Sequence, residues 1–150
     1  MKTRYDLPCN IAQSLNIIGD RWTLLVVHEI LNGHTMFNEI KKALSGISSN
    51  LLSERLKYLE KEGLVTAELY TDHPPRYRYT LTKSGEELED VFNSLIIWGS
   101  NHLQKCYKQL IDPVTGDEVN IGYYSKKTGE RVQDIKVIPV EKELLTVEDE

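Results

Sequence analysis

The chain has 150 residues, 40% of them hydrophobic and 27% charged, which suits one globular domain or one domain with an appendage. Its longest apolar runs, such as Leu24-Leu25-Val26-Val27, are far too short to cross a bilayer, and no basic-then-apolar leader opens it, so a cytoplasmic location without membrane contact is expected. Cys9 and Cys106 form no C-x-x-C pair, which argues against a disulfide scaffold and against a thiolate zinc site.

The net charge of -5 argues against nucleic acid only if it is evenly spread. It is not. Residues 1–110 hold 13 basic and 13 acidic side chains, while residues 111–150 hold 5 and 10, so the whole imbalance lies in the tail. Residues 41–83 hold 8 basic against 5 acidic, a locally basic segment that leaves DNA open as a partner.

In chain order, a first helix is expected from near Asp6, as its N-cap, with Pro8 close to the first helical position and Ile11, Leu15 and Ile18 at helical spacing. Asp20 can cap a second helix over 21–31, apolar around most of its circumference and therefore central, which Gly33 ends. A short third helix is expected from Thr35 or Met36 to Leu44. Ser48 or Ser49 then caps a fourth, whose buried stripe is Leu52, Leu56 and Leu59 and whose outward face is Asn50, Ser53, Glu54, Lys57 and Lys61. After Gly63 the period changes to two β-prone runs, 64–70 and 77–81, around a polar tip at 71–76.

From Thr82 a long helix is predicted as far as Leu110. It carries one stripe of Leu88, Val91, Leu95, Trp98 and His102 and another of Phe92, Ile96, Gly99, Leu103, Cys106 and Leu110. One stripe packs on its own domain; the other needs a second subunit, or else the tail folded back over it. This divides the chain into a domain of residues 1–110 and an acidic appendage of residues 111–150. In the appendage Thr115-Gly116-Asp117-Glu118-Val119 and Thr128-Gly129-Glu130-Arg131-Val132 echo each other, with strands expected over 121–124 and 135–138 and a frayed end from Glu141.

Three helices, a helix with a polar outer face and a hairpin make the order of a winged helix-turn-helix, a mainly α, α+β fold with a long C-terminal dimerisation helix and a small β-rich tail. In that fold Asn50 and Ser53 would face base edges, with Ser48 and Ser49 also at the DNA, Lys41, Lys42, Lys57 and Lys61 would meet phosphates, and Arg76 and Arg78 would act from the hairpin. Each lysine also has the plain reading of a solvated helix face. Arg55, beside the buried stripe, is as well suited to a structural ion pair. Ile11, Leu15, Leu95, Trp98 and His102 are the candidate dimer surface.

The chain also resembles the HxlR-type transcriptional regulators, relatives of the MarR group. The resemblance is carried by Cys9-Asn10-Ile11 and Ile18-Gly19-Asp20-Arg21-Trp22, by Phe37-Asn38-Glu39-Ile40, by Gly46-Ile47-Ser48 with Leu52-Ser53-Glu54-Arg55-Leu56, and by Pro74-Pro75-Arg76, Leu81-Thr82 and Trp98-Gly99. It covers residues 5–104. It implies a dimeric prokaryotic regulator that binds a pseudopalindromic operator, with the DNA-reading helix starting at Ser48, the wing at 71–76, and the N-terminal and long C-terminal helices forming the dimer. The proline usual directly after the opening cysteine is displaced here to Pro8. Where some relatives carry cysteine-bearing hairpins, the tail offers no thiols, so neither metal nor cofactor is expected.

Cys9, at a helix N-terminus, is a candidate sensor of oxidants or electrophiles, since the helix dipole favours thiolate there. Its alternative is a small side chain packed in a dimer interface. Cys106, at a stripe position, is expected in the core. His28, His34, His73 and His102 make no ligand pattern, and no nucleophile–base pair or phosphate loop is present, so no enzyme is expected. The expected function is regulation of transcription on operator DNA by a homodimer, switched by a small ligand or by Cys9. The competing readings are a winged helix that binds protein and a ligand-binding module without DNA.

Overall fold

A computed structural model describes residues 4–140. Helix α1 spans Asn10–Ile18, α2 Thr23–Leu31, α3 Phe37–Ala43 and α4 Ser49–Lys61. A hairpin of β1 (Val65–Asp72) and β2 (Pro75–Leu81) follows, then α5 (Lys83–Glu86) and α6 (Glu89–His102). The appendage contributes β3 (Tyr123–Tyr124) and β4 (Arg131–Val132). This is a winged helix.

The core lies where the apolar periodicity converges. Val26, Val27 and Ile30 of α2 meet Ile40 of α3 and Leu52, Leu56 and Leu59 of α4, with Val65 of β1 and Phe92 of α6 closing the cluster. Each such side chain contributes roughly 1.5–3 kcal/mol when removed from water. Leu25, on the remaining face of α2, stays exposed. Gly33 and Gly63 take the left-handed conformation (φ +100° and +78°) that ends α2 and α4.

The hairpin is antiparallel, with Val65 opposite Leu81 and Asp72 opposite Pro75, and its register shifts between Leu69 and Thr71. Pairing extends further than the sequence indicates, so the tip is only His73-Pro74, and Thr71 Oγ donates to the Pro74 carbonyl at 2.9 Å. Met36 bridges Arg78, and Tyr79 N–H donates to the Thr35 carbonyl at 2.8 Å, so the lead-in to α3 lies along the hairpin.

The expected helix boundaries need three corrections. Helix α1 starts at Asn10, with Cys9 rather than Asp6 at the N-cap and no side-chain cap bond. The backbone from Tyr5 to Leu7 is instead held by Asn16 and Gln13, whose side chains bond Tyr5 and Leu7 main-chain groups at 2.8–3.2 Å. Second, the predicted long helix is two. The two are parted at Glu87-Leu88, and buried Gly85 of the first lies close against the residue before β1: a Cβ there would lie 2.3 Å from the Leu64 carbonyl oxygen. Third, α6 ends at His102. Leu103 is extended (ψ 152°), and the chain turns back so that Ser100 Oγ lies 2.9 Å from the Ile96 carbonyl and 3.0 Å from that of Lys108. Leu103, Cys106 and Leu110 therefore continue no helical stripe.

The echo in the appendage is a repeated turn. Asp112 N–H donates to the Asp117 carbonyl and Gly116 N–H to that of Asp112, both at 2.8 Å; Ser125 to Glu130 and Gly129 to Ser125 repeat the pair at 2.9 and 2.8 Å. Side chains repeat as well, since Asp117 and Glu130 N–H each donate to a threonine hydroxyl two residues back at 3.2 Å. The first turn closes with an Ile111–Glu118 bridge, and β3 pairs β4 across the second. The strand expected over 135–138 is not formed: that segment has no regular secondary structure and pairs with no strand. The end from Glu141 onward lies outside the described residues.

Candidate nucleic-acid interface

Helix α4 owes its start to Ser48, whose Oγ accepts from Leu51 N–H at 3.1 Å while its own backbone is extended (φ -76°, ψ 155°). The Ser48 hydroxyl thus satisfies one of the free amides of the first turn. With Leu52, Leu56 and Leu59 inward, helical geometry turns Ser49, Asn50, Glu54 and Lys57 outward, and all four are exposed. Ser53 is half-buried at the edge of that face. On α3, Lys42 is exposed and Lys41 half-buried. Strand alternation puts Val65, Ala67, Tyr79 and Leu81 toward the body, leaving Arg76 and Arg78 exposed on the outer side. The Arg78 guanidinium lies 5.9 Å from the Tyr70 ring, which steadies it on that face.

Arg55 is not on the exposed edge. It forms a structural ion pair with Asp20 (Nη1–Oδ2 3.3 Å), and its guanidinium lies 5.4 Å from the Tyr58 ring. Asp20 also accepts from the Trp22 and Thr23 amides at 2.9 and 3.0 Å and from the Thr23 hydroxyl. Burial disfavours its charged form, but these hydrogen bonds and Arg55 outweigh that and hold the carboxyl below its ordinary pKa. Tyr58 adds a second tie by donating from its hydroxyl to the Asn16 carbonyl at 3.0 Å. Together Asp20, Arg55 and Tyr58 brace α4 against α1 and the turn before α2. The sequence suggests the Asp20 cap and the Arg55 pair singly; Tyr58 carries no sequence signal, because a tyrosine on a helix edge looks like ordinary half-buried packing.

Of the other candidates, Cys9 is exposed at the N-cap of α1. Cys106 is exposed as well, which overturns its placement in the core; its thiol donates to the Lys108 carbonyl at 3.2 Å, in the segment that leaves the helix. Ile11, Leu15, Leu95 and Trp98 form exposed apolar surface, Ile11 at 72% and Trp98 at 59%, and His102 sits against the Trp98 ring at 5.2 Å. Among the described residues, the appendage of the same chain does not cover these side chains. His28 is half-buried, edge-on to Phe92 at 5.0 Å, and burial together with nearby Lys108 lowers its pKa. Among the described residues no three His, Cys, Asp or Glu side chains are grouped to hold a metal, and no helix is long and apolar enough to cross a membrane.

The family model for an HxlR-like helix-turn-helix matches residues 17–107, which contain α2 through α6. The chain belongs to the HxlR-like helix-turn-helix family. That family is one of transcriptional regulators, not of enzymes. Among relatives, the chain is 35% identical to YvaP of Bacillus subtilis, an uncharacterized HTH-type transcriptional regulator, over 63% of this chain and 88% of YvaP. The reduced form of the transcriptional regulator YodB of B. subtilis is 31% identical over 65% of this chain and 97% of that one, with a TM-score of 0.55; a diamide-treated YodB structure is also known. PA1374 of Pseudomonas aeruginosa, assigned as a transcription factor, is 29% identical with a TM-score of 0.65 over 90% of this chain and 97% of its own. The likeness to PA1374 therefore runs past the family-matched region into the appendage.

Proposed function

We propose that this HxlR-type regulator acts as a homodimer on a pseudopalindromic operator, with residues 1–110 as the DNA-binding and dimerisation unit and 111–150 as an appendage. Asn50, Ser53, Ser48 and Ser49 approach base edges in the major groove; Lys41, Lys42 and Lys57 meet phosphates; Arg76 and Arg78 contact the flanking groove from the wing. The observation that carries this reading is the capped, braced helix α4, whose exposed edge is polar and basic and which leads directly into a hairpin with two outward arginines. Fragments of the source genome selected on the full-length protein at low salt test it. Retained fragments share a two-fold sequence, and affinity falls about a thousandfold or more between 50 and 200 mM salt if six or more phosphates are neutralised. No retention at low salt would overturn DNA binding and leave a protein- or ligand-binding winged helix.

The same reading takes control to act on the dimer, through a small ligand or through Cys9. Three observations favour Cys9: its exposure, its place at the N-cap of α1, and the relative YodB, which is known in reduced and diamide-treated forms. Diamide changes operator affinity in the native protein and leaves Cys9→Ser unaffected. Equal responses in both would return Cys9 to a packing role.

A further inference from the structure

Where α6 gives way to the appendage, the chain surrounds a cleft of about 610 Å³, within the roughly 300–1,000 Å³ usual for small-molecule sites. One wall is α6, with Ile96, Ile97 and Asn101; the other runs from Gln109 and Leu110 to Glu118, Val119 and Asn120. The second wall is held in shape by its own backbone. Val119 N–H donates to the Leu110 carbonyl at 3.1 Å, and Ile111 bridges Glu118.

The chemistry of the lining is narrow. Asn101, Gln109 and Asn120 bring three primary amides and Glu118 a carboxylate, and none of these four side chains bonds another described residue. Ser100 and Cys106, also in the lining, both hydrogen-bond the Lys108 carbonyl, at 3.0 and 3.2 Å. Ile96, Ile97, Leu110 and Val119 supply aliphatic ground among the polar groups. Among the described residues no Lys, Arg, His, Phe, Tyr or Trp lines this cleft.

That composition selects among ligands. An anion would meet the Glu118 carboxylate with no cation to bind it. A flat aromatic molecule would find no ring to stack on. A cation would have one exposed carboxylate, and a single such pair in water is worth little. A neutral molecule with several hydroxyls suits every wall. Each hydroxyl donates and accepts, each primary amide does both, and the carboxylate accepts; the C–H faces of such a molecule then rest on the four aliphatic side chains.

We propose that this cleft binds a neutral polyhydroxylated small molecule, a sugar or a polyol, through Asn101, Gln109, Asn120 and Glu118. Binding would tie the appendage to α6, the helix that carries Leu95 and Trp98. None of Ile11, Leu15, Leu95, Trp98 and His102 lines the cleft, so a dimer formed through them does not use its walls. The role of the cleft as the point of small-ligand control rests on the function proposed above; the binding itself does not.

The test titrates the full-length 15N-labelled protein with D-glucose, D-galactose, D-ribose and myo-inositol, each to the same millimolar concentration. Spermidine and benzoate serve as the cationic and the anionic aromatic comparison. At least one sugar or myo-inositol gives saturable shifts of asparagine and glutamine side-chain NH2 resonances, and a response to myo-inositol alone marks a polyol rather than a sugar. Asn101→Ala combined with Asn120→Ala weakens that binding about tenfold or more, with urea unfolding unchanged because neither side chain bonds the rest of the described protein. Gln109→Ala, on the appendage wall, gives a smaller loss of about two- to tenfold and checks the result independently. No saturable shift with any of the four, shifts that these variants leave unchanged, or binding of spermidine or benzoate alone would overturn the proposal. Operator affinity is read on the same samples. A change of at least threefold with the bound sugar or polyol makes this cleft the control point, whereas binding without such a change keeps the site and removes it from control. Failure to bind operator DNA leaves the titration result standing.

Discussion

Single groups hold α4 and α5 in place. Asp20 has four partners, and Arg55 is the one that reaches it from α4. Arg55→Met keeps the apolar stem and removes the counter-charge, so it destabilises by about 1–2 kcal/mol in urea titrations at neutral pH. The pH dependence has a definite sign. Because the folded carboxyl is held below its ordinary pKa, its contribution is present in full well above the ordinary carboxylate value and is lost as pH falls through that value toward the lower folded one. Asp20→Asn is therefore less stable at neutral pH than the native chain, and the gap narrows as the medium is acidified. A gap that stayed constant with pH would show that Asp20 acts as a neutral cap alone. At Gly85 the expectation is steric. Gly85→Ala puts a methyl 2.3 Å from the Leu64 carbonyl and 3.1 Å from Leu81 Cδ2, forcing α5 off the strand, at a cost of about 1–3 kcal/mol in the same titration.

On the scale of elements, the proposed function gives α4 and the wing different parts in recognition, and their substitutions separate the two. Lys57→Ala weakens binding evenly across DNA sequences and lowers the salt slope by about one, since it removes one phosphate contact. Asn50→Ala instead costs about 1–3 kcal/mol on the selected operator and relaxes its sequence preference at one position in each half-site. Anisotropy titrations on operator and scrambled duplexes at several salt concentrations distinguish the two. Equal losses on both duplexes for Asn50→Ala would remove it from base reading. These elements were legible in the sequence because they obey local rules. The Leu52-Leu56-Leu59 stripe, the Ser48 cap and the glycines at 33 and 63 each act within a few residues. Elements that depend on distant contacts were not legible. The close approach of Gly85 to the Leu64 carbonyl joins residues far apart in the chain, and α6 ends at His102 where Ser100 and Lys108 close a turn together, so an unbroken apolar spacing is a poor guide to helix length. The exposed face of α4 followed from periodicity alone, whereas the Tyr58–Asn16 tie that braces the helix needs the fold to be seen.

For the whole molecule, the decisive property is that the apolar surface of α1 and α6 lies on the unit that carries α4 and the wing. A pseudopalindromic operator presents two half-sites, and one chain can fill only one. If the dimer forms through this surface, the second half-site is engaged at high effective concentration and its contacts add to those of the first. Leu95→Asp puts a charge at the centre of the exposed α6 stripe, where the monomer tolerates it in water and a dimer would have to bury it. Sedimentation then shows a monomer at concentrations where the native chain is dimeric, while circular dichroism and urea unfolding of the α2–α4 core stay unchanged. Operator affinity falls more than a hundredfold, and affinity for an isolated half-site changes by less than threefold, because α4 and the wing are untouched. A half-site loss as large as the operator loss would mean that Leu95 supports the reading helix itself. An intact dimer would mean that the subunits meet elsewhere, and the exposed Trp98 would then need another partner.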